Sequence, residues 1–201
     1  LEREFQNLIS DKTTDFSRYT FFYANYLYKK NLTKKASLIL SEKLAKHPRN
    51  LLLNQLYSDI KLKKQNHLQN NFECTNVSNI IAELFYITAN ALASQSFYSL
   101  SNFYINLAKY LNQNFYSYNT LLAENFVRIE NYRKAKNIYF LLDNFGEYYS
   151  WHSSKQIALL DIENSKIKEA LKNLKKSYDN LNTPTVYQTY DFAQFLKNNE
   201  K

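Results

Sequence analysis

Apolar and polar positions along the chain follow the period of a helix, and small residues recur at set points within that pattern. Residues three, four and seven apart share one face of a helix. Tyr132, Ala135 and Tyr139 have this spacing and follow Asn131, which suits a turn and a helix N-cap, so a helix is predicted to start near Asn131. The preceding stretch, Tyr118 to Phe126, predicts a partner helix with Ala123 midway. The same pair then recurs: Ile157 to Leu160 belongs to a first helix and Ile167 to Leu174 to a second. Ala158 follows Ala123 by 35 residues, and Ala170 follows Ala135 by 35. Upstream, Ala89 precedes Ala123 by 34 residues and Ser101 precedes Ala135 by 34, with Ala108 later in the same helix as Ser101. Two crossing helices need small side chains where their backbones meet, which makes this recurrence structural.

The first unit has Tyr23, Ala24 and Leu27 on one helix and Ala36 and Leu40 on the next, with Pro48 closing it because proline cannot continue a helix. A degenerate unit follows. Leu51 to Lys64 predicts a first helix with Ser58 as its small residue, and Gln65 to Asn76, rich in Asn and Gln, predicts a linker or short irregular helix. Near the end, Tyr190 to Leu196 predicts a further first helix, with Ala193 35 residues after Ala158. The organisation expected is an opening helix end over 1–15, then repeats over 16–50, 51–75 (degenerate, with linker), 76–114, 115–149 and 150–184. The first helix of a truncated further repeat is expected over 185–201.

Composition narrows the chemistry. One Gly and two Pro are too few for a β-sandwich or barrel, whose tight turns depend on them. A single Gly also rules out Gly-rich phosphate-binding loops. The lone Cys74 excludes an internal disulfide and a multi-cysteine zinc site, and reads as a packed, inert thiol. His47, His67 and His152 adjoin no nucleophile or ligand set, so no catalytic residue, metal or cofactor is expected. With no Met, the chain is expected to be a processed or excised piece of a longer one. No apolar run reaches the roughly 18 residues of a membrane span. The sequence leaves the compartment open between the cytoplasm and, if an upstream segment carries a signal, the periplasm.

Asn131-Tyr132-x-x-Ala135-x-x-x-Tyr139 and Ile167-x-x-Ala170-x-x-x-Leu174 resemble tetratricopeptide repeat proteins, from about Ser17 to Lys201. Ile81 to Phe85 and Tyr148 to Trp151 resemble segments of α-proteobacterial members of that family. The resemblance implies an all-α, right-handed superhelix of antiparallel helix pairs. Its concave face, lined by the first helix of each pair, would bind a peptide or protein. Helix phase places Arg18, Phe22, Asn25 and Lys29 on that face in the first unit, and Tyr86, Asn90, Thr120, Glu124, Lys155, Tyr190 and Gln194 in later ones. Asn25 and Asn90 follow Ala24 and Ala89 directly, where the family often uses Asn to hold a ligand backbone. The subtype that clamps a C-terminal carboxylate needs a Lys where this chain has Phe21, and is rejected.

The expected function is therefore a non-catalytic protein-binding scaffold. The alternative is a helical-repeat protein that binds single-stranded RNA, which a net charge of +8 and 16% aromatic residues permit. Charge placement weighs against it. Lys61, Lys63 and Lys64 end a helix, where cations complement the dipole, and Lys166, Lys168 and Lys172 alternate with Glu163 and Glu169, as on a solvated face. Trp151 with Tyr148 and Tyr149 reads as an inter-repeat packing cluster, since large aromatics mostly serve cores.

Overall fold

Helix-period stripes separated by short polar turns fold as a series of helix hairpins. A computed structural model of the chain describes residues 2–10, 15–63 and 72–199. Among these residues the regular structure is entirely helical. The elements are α1 (Glu2–Ser10), α2 (Ser17–Lys29), α3 (Thr33–Lys46), α4 (Leu51–Leu62), α5 (Val77–Ser94), α6 (Tyr98–Leu111), α7 (Tyr118–Arg128), α8 (Tyr132–Leu142), α9 (Glu147–Glu163), α10 (Ile167–Asp179) and α11 (Val186–Asn199). The chain divides into two compact units, Leu1–Ile80 and Ile81–Lys201, with the boundary inside α5. Most of the segment read as a linker, 65–71, lies outside the described residues.

In the first unit α2 and α3 form a hairpin with Ala24, Leu27, Ala36 and Leu40 fully buried between them. Helix α1 packs on α2, where Phe5 stacks on Tyr23 with centroids 5.3 Å apart. Asp15 ties the two ends of the hairpin together. Its carboxylate accepts from the Ser17 backbone N–H (3.0 Å) and lies 3.2 Å from Lys43 at the end of α3. Burial alone would raise its pKa, but the bonds from Ser17 and Lys43 outweigh that and hold it below the ordinary carboxylate value. Helix α4 is capped by Asn50, which accepts from the Leu53 N–H at 3.1 Å. Ser58, expected at the crossing point of α4, is only half-buried. The buried polar pair there is Gln55 and Asp59, bonded at 2.9 Å, because the packed stripe of α4 is Leu52, Leu53, Leu56 and Ile60.

In the second unit the recurring small residues do meet. Ala89, Ser101, Ala108, Ala123 and Ala135 are fully buried, and Ala158 and Ala170 nearly so. Ser101 Oγ donates to the Ala89 carbonyl oxygen at 2.8 Å, joining α5 to α6. Asn125 Nδ2 then donates to Ser101 Oγ at 2.8 Å and to Asn102 Oδ1 at 2.9 Å, joining α6 to α7. Such a network resists sliding because each buried polar atom loses its partner if the helices shift. Ala193, the last small residue of the pattern, is exposed, because no helix among the described residues packs over that side of α11.

The turns repeat as faithfully as the alanines. Asn31, Ser96, Glu130 and Ser165 each hold positive φ, between 58° and 65°, in the middle of a three-residue turn. The next residue's N–H returns to a carbonyl five positions back: Leu32 to Leu27 and Phe97 to Leu92 at 3.0 Å, Asn131 to Phe126 and Lys166 to Asp161 at 2.8 Å. This closes the first helix of each pair and turns the chain into the second. Glycine normally fills the left-handed position because it has no Cβ to clash. Glu130→Gly is therefore expected to raise stability by up to about 1 kcal/mol. The one glycine stands where the demand is stronger: Gly146, with φ 111° and ψ 171°, leads from the 3-10 turn Asp143–Phe145 into α9. Gly146→Ala is expected to cost about 1–3 kcal/mol, since only glycine settles in that region. Urea unfolding of the two variants should move in opposite directions.

Candidate partner-binding site

Helix α2 carries Arg18, Phe22, Asn25 and Lys29, but three helices, α1, α3 and α4, pack on it. That contact surrounds α2 and leaves a continuous buried run from Thr20 to Asn25. Phe22 (4% exposed) and Asn25 (3%) are thus interior positions. Phe22 stacks on Phe72 at 4.0 Å, and the Arg18 guanidinium lies 5.6 Å from the same Phe22 ring. Lys29 is exposed and reaches Glu73 at 4.0 Å. Near it Cys74 is half-buried, and burial pushes its thiol up, which suppresses the reactive thiolate.

The second unit offers a more open surface. Tyr86 of α5 is half-buried against Tyr118, with centroids 5.3 Å apart, and Asn90 is exposed. Thr120 is half-buried on α7, Tyr190 of α11 is exposed, and exposed Gln194 donates to Asn198 at 3.0 Å. Glu124 and Lys155 belong to one connected cluster. Glu124 is open to solvent, yet protein surrounds it closely enough that burial raises its carboxyl pKa, opposed by Arg128 one turn on. Tyr139, buried on α8, has its phenol pushed up by burial and then by the charge of Glu124. Its ring meets the His152 ring of α9 edge-on at 6.0 Å.

His152 is pushed down to about 4, first by burial and second by Lys155 one turn away. Its Nε2 is buried without a hydrogen-bond partner among the described residues. Lys155 Nζ donates to Asp191 Oδ2 of α11 at 2.8 Å, and both side chains are partly open to solvent. The row Glu124, Tyr139, His152, Lys155 and Asp191 thus runs from α7 across α9 to α11. Helix phase found Glu124 and Lys155 but missed the other three. Asp191 is adjacent to Tyr190 in sequence, whereas His152 carries no signal, because only packing against α8 gives it neighbours.

Trp151 does lie in a packing cluster, with different partners from those its sequence neighbours suggest. It packs with Ala158, Ala170, Leu174 and Phe195, and makes edge contacts with Tyr178 at 5.9 Å and Phe192 at 6.4 Å. Among the described residues no three His, Cys, Asp or Glu side chains converge as a metal site.

No family model and no curated protein matches the chain. Among solved structures, it is similar to the crystal structure of a thermophilic tetratricopeptide repeat protein of Thermus thermophilus. The identity is 11% and the TM-score 0.43, over 98% of this chain and 89% of the other.

Proposed function

We propose that the chain is a non-catalytic scaffold that binds a protein or peptide along α7, α9 and α11 of the second unit. The observation that carries this reading is the charged row with Glu124 at one end and the partly buried Lys155–Asp191 pair at the other. Charges that the protein partly shields from solvent interact more strongly with a ligand than fully exposed ones, because less water screens them. Their order selects a partner with a cationic group for Glu124 and an anionic one for Lys155, the latter displacing or joining Asp191. Tyr86, Asn90, Thr120, Tyr190 and Gln194 are proposed as flanking contacts. Several of the chain's cations already lie over its own rings, as Lys61 over Tyr57 at 4.5 Å and Lys134 over Phe126 at 5.3 Å. Rings occupied in this way are poorer platforms for stacked bases, which favours a protein partner over single-stranded RNA.

Affinity capture from lysate, with and without nuclease, tests the proposal. Specific proteins are expected to survive nuclease and to be depleted about tenfold or more by Glu124→Lys or Lys155→Glu, as for charged contacts at an interface. Recovery of nucleic acid and its companions alone, abolished by nuclease, would reject the scaffold in favour of RNA binding.

A further inference from the structure

Helices α8, α9 and α10 enclose a cavity of about 230 Å³ that opens to solvent, and every residue lining it belongs to the second unit. It follows one stripe of α9 from Ser154 past Ile157 to Asp161, a rise of about 10 Å. Both ends are tied across helices. At one, Ser177 Oγ of α10 donates to Ser154 Oγ at 3.0 Å; at the other, Lys136 Nζ of α8 donates to Asp161 Oδ1 at 2.6 Å. Glu169 and Asn173 of α10 and the exposed Phe140 ring of α8 complete the walls. Asp161 is 4% exposed, and Lys136 is the one side chain bonded to it among the described residues. Its Oδ2 is thus left as an acceptor for a donor that enters the cavity. Glu169 and Asn173 likewise bond no side chain among the described residues.

We propose that this cavity binds an arginine side chain of a partner protein. Charge selects a cation. The charged residues lining the cavity are one positive, Lys136, and two negative, Asp161 and Glu169, on a chain whose net charge is +8. Size selects a single side chain, because small-molecule sites occupy roughly 300–1,000 Å³. Lys136 shows that the chemistry is in place: its Nζ sits between Asp161 and the Phe140 ring, 6.0 Å from the ring centroid. A carboxylate and an aromatic face are the surroundings that suit a guanidinium. Arginine is favoured over lysine because its planar fork of donors reaches several acceptors at once. Here these are Asp161 Oδ2, the Glu169 carboxylate and Asn173 Oδ1, with the stem lying on Phe140. The stripe of Ser154, Ile157 and Asp161 lies at least about 100° around α9 from His152 and Lys155. The cavity is therefore distinct from the charged row proposed above and stands without it.

Titration of the 201-residue chain with arginine blocked at both ends, as it is within a protein, tests this by two-dimensional amide NMR. The expected dissociation constant is on the order of 1 mM, fitting a single side chain, with the largest shifts at Asn173 and Ser177. Glu169→Gln, at an exposed position, should weaken binding about fivefold or more. Lys136→Gln removes the competing cation and should strengthen it about threefold or more, with circular dichroism checking that the fold is kept. Absence of shifts at Asn173 up to about 50 mM overturns the proposal, as do shifts centred on Glu124 and indifference to Glu169→Gln. Equal binding of blocked glutamate, or loss of binding in folded Lys136→Gln, would mean that the cavity takes an anion and also overturns it. Free arginine binding about tenfold tighter than the blocked form would assign the cavity to the amino acid instead of a partner protein.

Discussion

Replacing Trp151 with alanine is expected to cost about 3–5 kcal/mol, the range for removing a large aromatic from a packed core. Trp151 is 5% exposed and joins three helices, with Ala158 on its own α9, Ala170 and Leu174 on α10 and Phe195 on α11. Tyr178 and Phe192, stacked 4.4 Å apart, close the cluster from α10 and α11. The cavity left by alanine has walls on all three helices, so α11 should loosen first. For a chain of this size the loss corresponds to a fall in melting temperature of roughly 6–20 °C. Trp151→Phe is the informative companion. It keeps an aromatic ring in the cluster and removes the indole N–H, which is buried without a partner among the described residues. Its cost should be below about 2 kcal/mol, because an unsatisfied donor is itself worth about 1–3 kcal/mol. Thermal melts by circular dichroism compare the two. Equal losses would show that the cluster does not hold α11 in place.

The second large effect is a dependence of stability on pH between about 6.5 and 4, set by His152. Its pKa is depressed in the folded chain, so the unfolded chain takes up the proton first as pH falls. The contribution of His152 to stability therefore falls from pH 6.5 down to about 4 and levels off below that. The window amounts to about 3 kcal/mol at 1.36 kcal/mol per unit. Glu124 acts in the opposite sense, because its raised pKa favours the folded state on the acid side. Asp15, held below its ordinary value, contributes stability above its unfolded pKa near 3.8 and loses it only at lower pH, outside the histidine window. The difference between wild type and His152→Gln isolates the histidine. Urea titrations of both at several pH values should differ in slope between pH 6.5 and 4 and run parallel above pH 7. Parallel behaviour throughout would mean that His152 takes up its proton at the same pH in the folded and unfolded chain.

The helix pairs were legible in the sequence because backbone crossings impose a residue size that chemistry cannot disguise. Ala123, Ala135, Ala158 and Ala170 recur at the repeat period, and all four are buried. Ser101 was legible for the same reason, and its hydroxyl also bonds the Ala89 carbonyl. The left-handed turns were hidden, since glycine marks such positions and this chain places Asn, Ser and Glu there. Ser58 misled because α4 packs on both α2 and α3, which moves its buried stripe away from the position the repeat assigns.

By itself, then, the sequence determined the all-helical class, the pairing of the helices and the residues at their crossings. These depend on local periodicity and side-chain size, which neighbours along the chain specify. Tertiary structure alone decided which first helices keep an open face. Phe22 and Asn25 share the sequence setting of Tyr86 and Asn90, yet α2 is enclosed by three helices while the face of α5 at Asn90 is open. It also decided that Glu124, His152 and Lys155 form one electrostatic cluster, because Tyr139 of α8 lies between Glu124 and His152, and Lys155 acts on His152. Exposure and charge coupling depend on which distant segments come to lie against a residue, and a helical period carries no record of them.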